Sequence, residues 1–301
     1  MRLRGLSACA GLVMGLAIAT WAHAAGPAAT LPAKLTMGVL SERVELSLQY
    51  MSPAIALFRE RLAPLGVREV ALEVAPSIEE MGEWVRSGKV DVFVSTPFPV
   101  LRTARIAGVP PALHGIPLHP KRSAFYVRED GPIKTLDDLD GKKLAFTFNY
   151  SSPGYFIPIL HLMQHGFVLN RPTPGRRVVY SAMTGHYVNS LYWLFFGRCD
   201  AVAVGDDDVK KVAPRLQKML RRLDVTESYP GFLMLISPTW TPERRKVLMD
   251  YFTTMHTEKS GQEMLQNIYS CKQLVPIGPD VEKWIRDADG AITALGSGRT
   301  P

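Results

Sequence analysis

Ser151-Ser152, His186 and Asp206 are the residues whose chemistry stands out in this chain. The two hydroxyls directly before Pro153 read as the start of a helix. There, free N–H groups and the positive end of the helix dipole favour an oxyanion. The same hydroxyls could serve only as helix caps. His186 offers an N–H donor and, once protonated, a charge. On paper a serine, His186 and Asp206 also assemble into a hydrolase triad. The chain has no G-x-S-x-G elbow and no second signature of that class, so no enzymatic activity is expected. His161 and His165 stand four apart on one expected helix, a possible metal pair. The glutamate of H-E-x-x-H is missing and no third ligand is evident, so an exposed helix face is expected and no metal is assigned. A P-loop and a dinucleotide fingerprint are absent as well, and no cofactor is expected.

Such residues need elements to position them, and the chain is organised to supply these. Lys34–Val39 reads as a buried strand, followed by a polar loop and a helix starting at Ser52-Pro53. Val70–Val74 is a second strand, and Ser77–Ser87 a helix with Trp84 and Val85 on its apolar face. Gly88 closes that helix, and Val90–Val94 is a third strand. A shift of 109 positions lays Lys143-Leu144-Ala145-Phe146 on Lys34-Leu35-Thr36-Met37 and Gly197-Arg198-Cys199-Asp200 on Gly88-Lys89-Val90-Asp91. Alternating valines follow both times, Val92/Val94 and Val202/Val204. Ser152-Pro153 opens the second copy's helix as Ser52-Pro53 does the first, and Val178-Val179-Tyr180 matches the strand at Val70.

The same β-α-β-α-β unit therefore occurs twice. Right-handed crossovers make each copy a doubly wound parallel α/β lobe, with a ligand cleft where strand ends and helix N-termini face each other. A duplication kept for stability alone is the alternative. The first lobe is expected over residues 25–121 plus 235–301, and the second over 122–234. The crossings fall at Phe125-Tyr126-Val127 and Phe232-Leu233-Met234-Leu235.

Composition bounds the class. The chain has 301 residues, 47% hydrophobic and 21% charged, which excludes disorder, a collagen-like chain and a coiled coil. Three cysteines exclude a disulfide-dense scaffold. Residues 1–24 read as a secretory signal peptide. Arg2 and Arg4 form its basic start, Leu12–Thr20 its apolar stretch and Ala22-His23-Ala24 its cleavage site. Cleavage after Ala24 would yield an exported protein and lower its formal charge from +7 to +5. Basic pairs such as Lys142/Lys143 and Arg176/Arg177 are scattered and not interleaved with aromatics, so no nucleic-acid partner is expected. Export permits a Cys199–Cys271 disulfide, but a bond between lobes would hinder their closure, and both states stay open.

The run Asp138-Leu139-Asp140-Gly141-Lys142-Lys143-Leu144-Ala145-Phe146-Thr147, continued by Phe148-Asn149-Tyr150-Ser151-Ser152-Pro153-Gly154-Tyr155, resembles the phosphate/phosphite/phosphonate-binding periplasmic proteins of ABC transporters. Thr184-Gly185-His186 and the later Gly197–Val204 stretch add a second matching block. The resemblance implies a type II periplasmic binding fold and a monomer that delivers a small oxyanion or phosphonate-like ligand to an ABC permease. By the same resemblance Ser151 and Ser152 match the first two hydroxyls of the family's S-T-S anion loop, and His186 matches its anion-binding histidine. Asp206 falls where the family places an acid that contacts a ligand amine, with a solvated Asp206–Asp208 turn as the alternative. Thr96, just past the third strand, completes the candidate set.

The departures from the family pattern carry their own expectations. Pro153 replaces the third hydroxyl and removes an N–H, so inorganic phosphate should bind weakly. Phe148-Asn149 replaces Asp-Pro, and Tyr150 precedes the first serine. With Tyr155, Tyr187 and Tyr50 the cleft is expected to be aromatic, either as packing between lobes or as a wall for an apolar or cationic ligand part. The superfamily also includes sensory members. A subunit that senses an oxyanion or arsenite for a membrane histidine kinase is thus the alternative function.

Overall fold

The computed structural model describes residues 30–41 and 44–296. The expected signal segment, residues 1–24, lies outside them. The first run of elements is β1 (Lys34–Leu40), α1 (Val44–Leu62), β2 (Glu69–Ala75), α2 (Ile78–Ser87), β3 (Val92–Ser95), α3 (Pro97–Ala107) and β4 (Leu113–Pro117). The second is β5 (Ser123–Arg128), β6 (Lys142–Phe146), α4 (Ile157–Gln164), β7 (Phe167–Leu169), β8 (Arg177–Met183), α5 (Tyr187–Phe195), β9 (Ala201–Gly205), α6 (Pro214–Gln217) and β10 (Leu220–Val225). The chain then returns through β11 (Leu233–Ile236), α7 (Pro242–Thr254), α8 (Lys259–Tyr269), β12 (Cys271–Pro276) and α9 (Pro279–Gly296).

These strands form two six-stranded sheets, ordered β12-β4-β11-β3-β1-β2 and β10-β5-β9-β6-β8-β7. The repeat is visible in their centres. β1 runs parallel to β2 and β3, and β6 runs parallel to β8 and β9. Each sheet is mixed rather than purely parallel. β11 lies antiparallel to β3, and β5 antiparallel to β9. These two strands carry the chain from one sheet to the other, so no crossover helix dictates their direction. All four residues of β11 pair within the first sheet, two of them ahead of the expected boundary at 235. Each sheet is covered on both faces by apolar clusters.

The Ser-Pro pairs behave differently from expectation. Ser52 does not open a helix, because α1 begins at Val44 and runs through Pro53. Met51, Ala54, Phe58 and Leu62 are all buried as one stripe on either side of Pro53, so packing on the sheet carries the helix across it. The Ser52 hydroxyl donates back to the Leu48 carbonyl instead of capping. In the second copy the cap is Ser151, one residue earlier than expected. A wide π-type turn, Ser152–Phe156, precedes α4. By contrast, α2 is capped by Ser77 and closed by Gly88 at φ +78°, as its sequence dictates.

Candidate functional site

The N-terminal turn of α3, from the first sheet's lobe, faces the Ser151–Phe156 turn of the second. Pro97 and Pro99 flank Phe98, so the first turn of α3 is poor in N–H groups. The Phe98 amide donates to the Ser152 hydroxyl at 2.8 Å, and that hydroxyl donates to Thr96 Oγ1 at 3.0 Å. A fully buried serine of one lobe thus caps the helix of the other. Beside this contact Phe98 stacks on Phe156 with ring centres 4.4 Å apart. Ser151 is buried too, and its hydroxyl accepts from the Gly154 amide at 3.0 Å. Gly154 is required where it stands, since a Cβ there would lie 2.3 Å from Thr147 Oγ1. Both expected anion-loop hydroxyls are therefore engaged within the protein.

Next to this contact lies a cleft of about 730 Å³ lined by Ser41, Phe148, Tyr150, His186 and Asn189. Ser41 directly follows β1, so the cleft has a residue from each lobe. The Phe148 and Tyr150 rings lie 4.4 Å apart at 40° and form an aromatic pair on its wall. His186 is exposed and caps α5, its Nδ1 accepting from the Val188 amide at 3.3 Å. With Nδ1 an acceptor, the ring proton sits on Nε2 as a donor. Asn189 Nδ2 donates to the Thr184 carbonyl at 3.0 Å, which fixes the amide. Gly185, at φ +78°, adopts the left-handed turn that glycine allows, and its amide donates to Thr147 at 2.7 Å. The His186 loop is thereby anchored to the end of β6.

The other candidates lie elsewhere. Asp206 accepts from the Tyr126 hydroxyl at 2.7 Å and faces Arg222 at 3.3 Å. Burial, and then Asp206 itself, push the Tyr126 phenol well above its ordinary value. Asp207 and Asp208 pair with Lys210 and Lys211, so the acidic run is a turn of local ion pairs. Tyr155 packs edge-on against Phe146 at 5.5 Å, and burial raises its phenol. The side chain of Tyr50 lies outside the described residues. The cleft thus unites Tyr150 and His186, with Ser151, Ser152 and Thr96 at the adjoining contact between lobes.

Sequence reasoning missed Ser41 and Asn189 as cleft residues. Ser41 could have been found from its place just beyond a strand's carboxyl end, and Asn189 from its place three residues after His186 on one helix. Cys199 and Cys271 are free and buried in separate cores, which answers the open disulfide question. Among the described residues, no helix is long and apolar enough to cross a membrane.

A family model described as the periplasmic substrate-binding protein of the phosphonate ABC transporter matches residues 39–281. A search of curated proteins finds no match. Among solved structures, XAC2383 from Xanthomonas citri superposes with a TM-score of 0.78 at 20% identity, covering 89% of this chain and 100% of that one; it is bound to chloride ion. A second structure of XAC2383 is bound to ATP. PhnD1 from Prochlorococcus marinus, in complex with methylphosphonate, superposes with a TM-score of 0.62 at 14% identity over 87% of this chain and 99% of that one. The periplasmic aliphatic sulphonate binding protein SsuA from Escherichia coli gives 0.57 at 19% identity over 88% of each chain. At these identities the superpositions establish the two-lobed fold, while the family match spans most of the chain. The chain belongs to the periplasmic substrate-binding proteins of ABC phosphonate transporters.

Proposed function

We propose that the chain captures a small oxyanion joined to an organic group, of the phosphonate or sulfonate kind, and delivers it to an ABC permease. The observation that carries this reading is the shared lining of one cleft by the His186 donor and the Phe148–Tyr150 ring pair. The anionic head would meet His186 beside the Ser151–Ser152 turn, and the organic part would lie on the rings. Pro97, Pro99 and Pro153 remove amide donors, and Ser151 and Ser152 are held by protein partners. This favours a ligand with less anionic surface than inorganic phosphate.

The ring pair also favours a second reading, an anion that carries a ring of its own, such as a nucleotide. The Xanthomonas citri protein of similar fold is described bound to ATP.

In this proposal residues 1–24 direct export and are cleaved after Ala24. Residues 25–121 with 235–301, and 122–234, act as two lobes of a monomer that draw together on the ligand. The permease recognises the closed form, and the ligand is released chemically unchanged. No finding favours the alternative of a sensor subunit for a kinase.

Calorimetry with methylphosphonate, ethanesulfonate, ATP and inorganic phosphate tests the reading, with scattering to follow closure. A phosphonate or sulfonate should bind more tightly than phosphate and compact the protein. Submicromolar phosphate binding, or no binding of any of the four, would overturn it.

A further inference from the structure

His161 and His165 gain from the fold a third partner that their spacing alone does not reveal. They stand one turn apart, His161 within α4 and His165 at its C-cap, with ring centres 4.3 Å apart. Asp224 reaches them from β10, its Oδ2 lying 2.8 Å from His161 Nε2. One ligand atom from each of the three lies within 4.8 Å of the others. The expectation of a merely exposed helix face is corrected here, since the His161 side chain is only 12% exposed.

The local structure aims all three groups. The pairing of β10 with β5 slips between Arg222 and Asp224, leaving Leu223 as an extra residue. Leu223 packs on the lobe's core, and the bulge turns Asp224 toward α4. His165 Nδ1 lies 2.8 Å from the His161 carbonyl. A carbonyl can only accept, so the proton of His165 sits on Nδ1 and the Nε2 lone pair is left for a ligand. Metal-bound histidines show the same outer arrangement, in which the second nitrogen donates to a fixed oxygen. His161 also borders a cavity of about 470 Å³ between α4 and α9, through which water can supply a further ligand.

We propose that His161, His165 and Asp224 form a site for a divalent transition metal, zinc being the best match. Two imidazoles and one carboxylate suit a borderline ion, and three protein ligands with an open position are a known zinc arrangement. On binding, the ion takes the lone pair of His161 Nε2, and the proton that this atom holds toward Asp224 passes by way of solvent to Nδ1 of the same ring. The ion clips α4, whose leading turn contains Ser152, to the edge strand β10. The site is separate from the ligand cleft and does not depend on what the cleft binds.

The test is zinc titration of the untagged protein against a chromophoric chelator, with cobalt spectra and thermal melts alongside. One zinc should bind per chain, raise the melting temperature, and be replaceable by cobalt with visible bands of an imidazole-containing site. His165→Ala changes an exposed residue, so its fold should survive, as circular dichroism will show. It and Asp224→Asn should each weaken zinc binding at least ~10-fold and remove the thermal gain. His119→Ala, at an exposed histidine outside the cluster, should change neither. Failure of the parent to bind one zinc, or equal affinity in His165→Ala, would leave only a hydrogen bond between His161 and Asp224 and overturn the proposal.

Discussion

The Ser152 hydroxyl accepts the Phe98 amide at 2.8 Å, and so one lobe supplies the helix cap that the other lobe lacks. Thr96 stands at the cap position of α3 but makes no capping bond of its own. Ser152→Ala would leave the Phe98 N–H buried without an acceptor, at a cost of about 1–3 kcal/mol. The variant should unfold at lower denaturant with an unchanged slope. Unaltered stability in a folded Ser152→Ala protein would show that the contact contributes nothing.

His186 has the opposite profile. It is exposed, and its capping bond to Val188 is long at 3.3 Å, so His186→Ala should cost at most about 1 kcal/mol of stability. Loss of a charge-assisted bond to an anion costs roughly 1.5–3 kcal/mol, or about 10- to 150-fold in affinity. Calorimetry with the tightest-binding phosphonate should show that loss. His186→Asp separates the two roles, since it can cap α5 while repelling an anion. If His186→Asp binds as the parent does, His186 takes no part in recognition.

The elements were legible in the sequence wherever local signals agreed. Ser77 and Gly88 bracket α2, and the repeated Lys-Leu-x-x and Gly-x-x-Asp blocks locate the central strands of both sheets. Ser52-Pro53 and Ser152-Pro153 look alike locally, yet only the second lies at a helix start. The first is overridden by a buried stripe that continues across it, which a local pattern does not contain. The site was legible in part for the same reason. Tyr150 and His186 announce themselves by neighbouring motifs. The hydroxyl of Ser152 is engaged by a residue 54 positions away, and Asp206 by Tyr126, 80 positions away. Asp224 completes the histidine pair from 63 positions beyond His161. Partners so distant in sequence are fixed by the packing of sheets.

Cys199 and Cys271 give a prediction about reactivity. Burial, ahead of nearby charges, pushes both thiols up to about 12. At pH 8 about one in ten thousand of each would be thiolate, the reactive form. A thiol reagent should label neither cysteine in the native protein and both after denaturation, as peptide mapping can show. Fast labelling of the native protein, or a peptide pair joined through sulfur, would contradict the buried, unbonded state.

Pro153 sits second in the turn that Ser151 caps, at a position whose amide ordinarily points outward as a free donor. Proline supplies neither that N–H nor a hydroxyl. Pro153→Ser would restore both, in a turn whose remaining hydroxyls are occupied by Gly154 and Phe98. Greater freedom of the unfolded chain should cost about 0.4–1 kcal/mol of stability. Each donor regained by a charged tetrahedral anion is worth roughly 1.5–3 kcal/mol, so phosphate affinity should rise about 10-fold or more. The gain should be larger for phosphate than for methylphosphonate, which presents one oxygen fewer. Paired titrations of parent and variant with both ligands measure this difference. If Pro153→Ser folds normally and binds phosphate no better than the parent, the missing donors at this turn do not set the ligand preference.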